Sequence, residues 1–165
     1  MIDKIKSILN LSPHIEGGFF KETYRSDETV SAKELPERYS GGRCFGAAIY
    51  YMITSDTFSA MHRLKSDEIF HFYLGDPVEM LQLFPDGTGK TVIIGSDLLN
   101  GMRPQVTVQR GVWQGLRLQK GGNYALMGTT VSPGFDYSDF EKGFRKNLLQ
   151  EYPDFKELIL ALTRK

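Results

Sequence analysis

The stretch Met61-His62-Arg63-Leu64-Lys65-Ser66-Asp67-Glu68-Ile69-Phe70-His71-Phe72-Tyr73-Leu74-Gly75 decides how the rest of the chain is read. It holds two of the three histidines, and it sets an imidazole, His62, and a carboxylate, Glu68, on two short strand-like runs either side of the turn-forming Lys65-Ser66-Asp67. If those runs pair as a hairpin, alternation puts His62 and Leu64 on one face, with Glu68, Phe70 and Phe72 joining them from the partner strand. An imidazole and a carboxylate then meet inside an apolar wall, where proton transfer is possible. His71, three residues after Glu68, points to the opposite face, toward a neighbouring sheet or subunit.

Working outward, the flanking segments read as strands. Cys44 to Thr54 is a nearly continuous apolar and aromatic run that fits a central strand buried on both sides. Val78 to Phe84 and Thr91 to Ile94 flank Pro85-Asp86-Gly87-Thr88-Gly89-Lys90, whose Asp-Gly and Pro supply the dihedrals of a tight reversal. Gln105–Val108, Gly115–Leu118 and Tyr124–Met127 follow at about ten-residue intervals, separated by glycines, and such spacing indicates an antiparallel sandwich or barrel.

The ends read as helical. Ile2, Ile5, Ile8 and Leu9 share a face within residues 2–11, and Ser12-Pro13 ends that helix. Residues 139–163 are helical again, interrupted at Gly143, with Phe155, Leu158, Ile159 and Leu162 as a stripe for core packing or a subunit contact. Between the ends lies one core domain over about residues 14–137. His14, beside Pro13, reads as a loop residue, while Gly17-Gly18 marks backbone that turns or approaches something closely. Residues 27–42 are polar and read as a solvated loop, with a lid as the functional alternative.

Composition narrows the function classes. At 165 residues one core is the default, with roughly 70% of the unfolded surface removed from water. Lys plus Arg balance Asp plus Glu at 20 each, so no net positive field gathers phosphates, and nucleic acid is not an expected partner. No run approaches the roughly 20 apolar residues of a membrane span. The N-terminus lacks a signal-peptide pattern, and the lone Cys44 reads as a small buried hydrophobe; both fit a reducing cytoplasm.

Residues His62, Leu64, Glu68 and Gly75 match the spacing of the first cupin motif, G-x5-H-x-H-x3-4-E-x6-G, with Leu64 at the second histidine. Gln109-Arg110-Gly111-Val112-Trp113-Gln114 resembles the second motif, with Gln114 at its histidine. Together with His14–Ser26, Ser66–Pro77 and Val131–Phe140, these make the chain similar to the cupin branch known as DUF985, or cupin 5, over roughly residues 10–145. The resemblance implies an all-β fold, a cupin jelly-roll β-barrel or sandwich with short N-terminal and C-terminal helices, assembled as a homodimer. It is similar to sugar-nucleotide epimerases in architecture, an analogy of fold rather than of site.

In metal-binding cupins the corresponding set grips a divalent ion, and here it would be His62, Glu68 and Gln114, with Leu64 contributing nothing. A divalent metal is possible on that set, but no cofactor is the expectation. The expected ligand is a small polar metabolite. The leading expectation is an isomerase or epimerase acting on a sugar or sugar nucleotide, with His62 and Glu68 as acid–base groups and Tyr124 as the opposing acid. His62, Glu68, Phe70 and Gln114 would form the binding wall, with Trp113 facing away from Gln114 into a wall or an interface. A non-catalytic metabolite-binding or sensing cupin is the rival; a metal-dependent oxygenase or isomerase is disfavoured by Leu64 and Gln114.

Overall fold

A computed structural model describes residues 1–164. In chain order the elements are α1 (Ile2–Ile8), β1 (Ser12–Pro13), β2 (Phe19–Arg25), β3 (Thr29–Val30), β4 (Arg43–Cys44), β5 (Ala47–Thr54), β6 (Ser59–Leu64), β7 (Asp67–Gly75), β8 (Val78–Leu83) and β9 (Gly89–Ile94). There follow β10 (Gln105–Val108), β11 (Trp113–Leu118), β12 (Tyr124–Ser132), β13 (Phe140–Lys142), α2 (Arg145–Glu151) and α3 (Lys156–Ala161). Two main sheets face each other: six strands in the order β1-β2-β5-β12-β7-β10, and five in the order β13-β6-β11-β8-β9. A two-stranded ribbon, β3-β4, lies apart from both. Every strand pairing within the two sheets is antiparallel, and from β5 onward successive strands alternate between sheets, apart from the β8–β9 hairpin, as in a jelly roll.

The two strands carrying His62 and Glu68 do not form a hairpin. β6 pairs with β11 and β13 in one sheet, whereas β7 pairs with β12 and β10 in the other. Lys65-Ser66 instead carries the chain across the sandwich. Alternation still holds within each strand, so the inward parity of His62 and Leu64, and of Glu68 and Phe70, is as the sequence indicates. The imidazole and the carboxylate therefore face the interior from opposing sheets, rather than side by side on one.

Apolar residues from both sheets fill much of the interior, including Ile53, Val78, Met80, Ile94, Leu116, Ala125 and Met127. The outer face of the five-stranded sheet is covered by the C-terminal helices. Ile159 and Leu162 are fully buried against Met61, Leu81, Leu83 and Trp113, so the predicted stripe is core packing. Trp113 does turn away from Gln114, and Arg63 stacks over its ring at 4.3 Å. Residues 140–142 are not helical: after a short 3-10 turn at Tyr137–Asp139, Phe140–Lys142 adds a strand beside β6, and the helix begins only at Arg145, past Gly143.

The polar segment 27–42 is tied down at its end. Tyr39 is buried, its hydroxyl 3.0 Å from Ser66 Oγ and 3.1 Å from the Lys65 carbonyl. Arg43 beyond it donates to both oxygens of buried Asp139, at 2.6 and 2.7 Å. Among the described residues no helix is long and apolar enough to cross a membrane.

Candidate functional site

One end of the sandwich interior is left open as a cavity of about 110 Å³. The six-stranded sheet supplies its wall in register: Thr129 of β12 lies between Ile49 of β5 and Phe70 of β7, and Val131 lies between Ala47 and Glu68. The five-stranded sheet supplies the opposing side through Ser59, His62 and Leu64 of β6. At the rim stand Glu22, Arg25, Phe135 and the exposed Tyr137.

A third contributor is the turn between β1 and β2, His14–Gly18. His14 N donates to the Gly18 carbonyl and Gly17 N donates to the His14 carbonyl, closing a tight reversal that projects into the cavity. Gly17 and Gly18 both have positive φ, at 115° and 73°. A Cβ on Gly17 would collide with the Phe58 carbonyl, and one on Gly18 with the Met52 carbonyl, so only glycine lets the turn lie this close to the barrel. The Glu16 carbonyl accepts from Ala60 N and from Arg164 Nη2, both at 3.0 Å, and the Tyr51 hydroxyl donates to the Gly17 carbonyl at 2.8 Å. His14 is a loop residue, as the sequence indicates, but its ring turns inward and packs edge-on against Phe20 and Tyr51 in the cavity.

His62 is buried, with Nδ1 2.8 Å from the Ala60 carbonyl and Nε2 3.3 Å from Glu16 Oε2. The carbonyl can only accept, so Nδ1 carries the hydrogen and the neutral ring offers its lone pair at Nε2. Burial pushes the His62 pKa down, against the opposing pull of Glu68 and the Ala60 carbonyl. Burial likewise raises Glu68, partly offset by His62, while Glu16 adds to the rise. Glu16 itself is pushed up to about 8, chiefly by burial, with Ser59 pulling the other way; His14 is pushed down to about 4 by burial and by His62. All four shifts favour neutral forms, as expected of polar groups in an apolar cavity.

Gln114 lies directly beside His62 on β11, with Gln82 of β8 beyond it, so a polar row crosses the five-stranded sheet. Its Nε2 donates to Glu68 Oε2 at 2.6 Å, bridging the two sheets, while its buried Oε1 has no hydrogen-bond partner among the described residues. Gln114 thus braces Glu68 from behind, and Phe70 lines the cavity as expected. Tyr124 does not belong to the site. On β12 the inward positions are 125, 127, 129 and 131, so Tyr124 has the outward parity, and it sits about 17 Å from Thr129 by strand rise. Its hydroxyl is directed at Met1 Sδ.

The donor set does not fit a resident divalent cation. Leu64 puts an apolar chain where a second imidazole would project, Gln114 turns its amide nitrogen to Glu68, and the lone pair of His62 is directed at Glu16. Among the described residues no three His, Cys, Asp or Glu side chains are grouped to hold a metal ion.

A two-sheet jelly roll with a cavity at one end of its interior is the architecture of the cupins. This chain belongs to that superfamily, within the family described as "Cupin superfamily (DUF985)", whose model matches residues 3–143. It is similar to the uncharacterized protein YML079W of Saccharomyces cerevisiae, with 32% identity over 143 residues, 81% of this chain and 71% of the yeast protein. Among solved structures, protein SO0799 from Shewanella oneidensis superposes with a TM-score of 0.87 at 33% identity, covering 98% of this chain and 96% of that one. A hypothetical protein from Leishmania major gives 0.88 at 29% identity, covering 99% and 98%. Oxalate decarboxylase from Bacillus subtilis gives a TM-score of 0.54 at 15% identity, covering 93% of this chain and 38% of that one, which is a likeness of fold alone.

Proposed function

We propose that this cupin binds a small polar metabolite in the barrel cavity and moves a proton on it, as an isomerase or epimerase of a sugar or related hydroxycarbonyl compound does. The observation that carries the reading is a neutral imidazole, His62, set among buried carboxyl groups inside an otherwise apolar cavity. Groups held neutral there can both give and take a proton near pH 7, which acid–base catalysis on a carbon next to a carbonyl needs. The cavity is smaller than the roughly 300 Å³ of a drug-sized pocket, so it admits one ring or its edge, with the remainder of the ligand at the rim beside Phe135, Tyr137 and Arg25.

The test has two stages. A thermal-shift panel of aldoses, ketoses, sugar nucleotides and divalent metals identifies binders, because binding to the native state raises its apparent stability. Each binder is then incubated with protein in D2O and followed by NMR. Deuterium washing into the carbon beside the carbonyl, and lost in His62→Ala while binding persists, supports proton transfer. Binding without exchange in the wild type would instead establish a sensing or carrier cupin.

A further inference from the structure

We propose that Glu16, on the β1–β2 turn, is a second acid–base residue of this cavity, holding one proton jointly with His62 Nε2 and presenting its other oxygen to the bound molecule. The inference rests on reading the cavity as a proton-transfer site, and it goes beyond the His62–Glu68 pair that the cupin spacing singles out.

Three observations support it. First, the Ala60 carbonyl commits Nδ1 of His62 as a donor, so Nε2 of the neutral ring is an acceptor, and the atom it faces at 3.3 Å is a carboxyl oxygen. Two acceptors cannot face each other in a buried site without cost, so a hydrogen lies between them, on Oε2 of a carboxylic acid or on the ring. Second, the two carboxyl groups are held differently. Glu68 Oε2 accepts a short 2.6 Å bond from Gln114, whereas among the described residues Glu16 Oε2 has only the 3.4 Å contact from Ser59 and the His62 ring, with His14 at 3.8 Å. Glu16 Oε1 has no protein partner among the described residues and is not fully enclosed, since Gln114 Oε1 alone is both buried and unpartnered. Third, the backbone of the turn is fixed on every side, by Ala60, Arg164 and Tyr51, so a loosely held side chain sits on a rigid support.

The step balances without a cofactor. Glu16 Oε1 takes a proton from the ligand carbon; that C–H bond breaks and its electron pair stays on the ligand as an enolate. Oε2 passes its own proton to His62 Nε2. The products are a neutral acid at Glu16, an imidazolium at His62 and one enolate negative charge, and reprotonation of the carbon reverses the transfers. The titratable and polar groups facing Glu16 are His14 on its own turn, Ser59 and His62 on β6, Tyr51 on β5 and Glu68 on β7, with Arg164 on its carbonyl.

The first test needs no ligand. Long-range ¹H–¹⁵N correlation on His-labelled full-length protein at pH 7 should show His62 protonated at Nδ1 only, with a hydrogen-bonded Nε2, and ¹³C-labelled Glu16 should show a protonated carboxyl. In Glu16→Gln, which keeps shape and an N–H donor, the Nε2 signal should shift while signals distant from the turn stay in place. A proton on Nε2 of the neutral ring, or an ionised Glu16 beside a neutral His62, would overturn the proposal. The second test repeats the D2O exchange with the aldoses and ketoses: Glu16→Gln should lower exchange by at least about 100-fold with ligand affinity largely kept. An unchanged rate would rule Glu16 out while leaving the proposed function standing. No exchange in the wild type would remove that function, and the NMR result would then decide the shared proton alone.

Discussion

The two ends of the sandwich interior share β5, β7 and β12 yet are filled in opposite ways. Toward one end β12 contributes Ala125 and Met127, which are fully buried among Met80, Ile94 and Leu116. Toward the other the same strand contributes Thr129 and Val131 to a cavity containing His62, Glu68 and Glu16. Apolar close packing supplies stability at the first end, since burying such side chains yields about 25 cal/mol per Å². At the second, polar groups are kept from water without full pairing, which costs stability and is retained where it serves a function. The closed end thus holds the sheets in the geometry that lets the open end stay hollow.

That division can be broken at three points. The largest effect is expected at the closed end: Met127→Ala should destabilise the protein by about 2–5 kcal/mol, measured by urea denaturation, because the surrounding sheets cannot collapse into the space. A loss under about 1 kcal/mol would show that this end is not the closely packed support described.

The next effect is read as a pH dependence at the open end. Glu16 has a folded pKa of about 8 against 4.5 unfolded, so the native state binds the extra proton between those values and stability falls as pH rises through them. His14, lowered from 6.5 to about 4, acts oppositely, adding stability as pH rises from about 4 to 6.5. The two trends offset each other below pH 6.5, and the net fall should emerge between pH 6.5 and 8. Glu16→Gln should flatten that fall, with its melting temperature gaining on the wild type across this interval. A gap that does not change with pH would mean that Glu16 is ionised throughout.

The smallest effect tests where the open end stops. Tyr124→Phe removes only a hydroxyl directed at Met1, so stability should change by less than about 0.5 kcal/mol and ligand binding not at all. A loss of binding would move the boundary of the site to the far end of β12.

Much of this contrast was legible in the sequence, and the failures have identifiable causes. Inward parity along single strands was correct for His62, Leu64, Glu68 and Phe70, because alternation is a local property of extended backbone. The hairpin was wrong because whether a turn reverses a chain within a sheet or carries it across to the facing sheet depends on which other strands compete for the edges. β11 and β13 take both edges of β6, and β12 and β10 take both edges of β7. Tyr124 failed for the related reason that parity was not counted from an anchored residue of β12. His14 and Glu16 are not legible as site residues because the turn that carries them reaches the cavity only through contacts with Ala60, Tyr51 and Arg164, all distant in sequence. The signal that could have found them was Gly17-Gly18, already marked as backbone in close approach, directly after a carboxylate.

That glycine pair also bears on how the cavity can change by descent. His14 and Glu16 ride on one short turn that any side chain at position 17 or 18 would lift off the barrel. A single codon change there removes an imidazole and a carboxyl together, whereas His62 and Glu68 reside on separate strands and can be exchanged one at a time. The turn's share of the chemistry is inherited or lost as a block, and descendants that abandon it would keep the barrel intact around a simpler binding cavity.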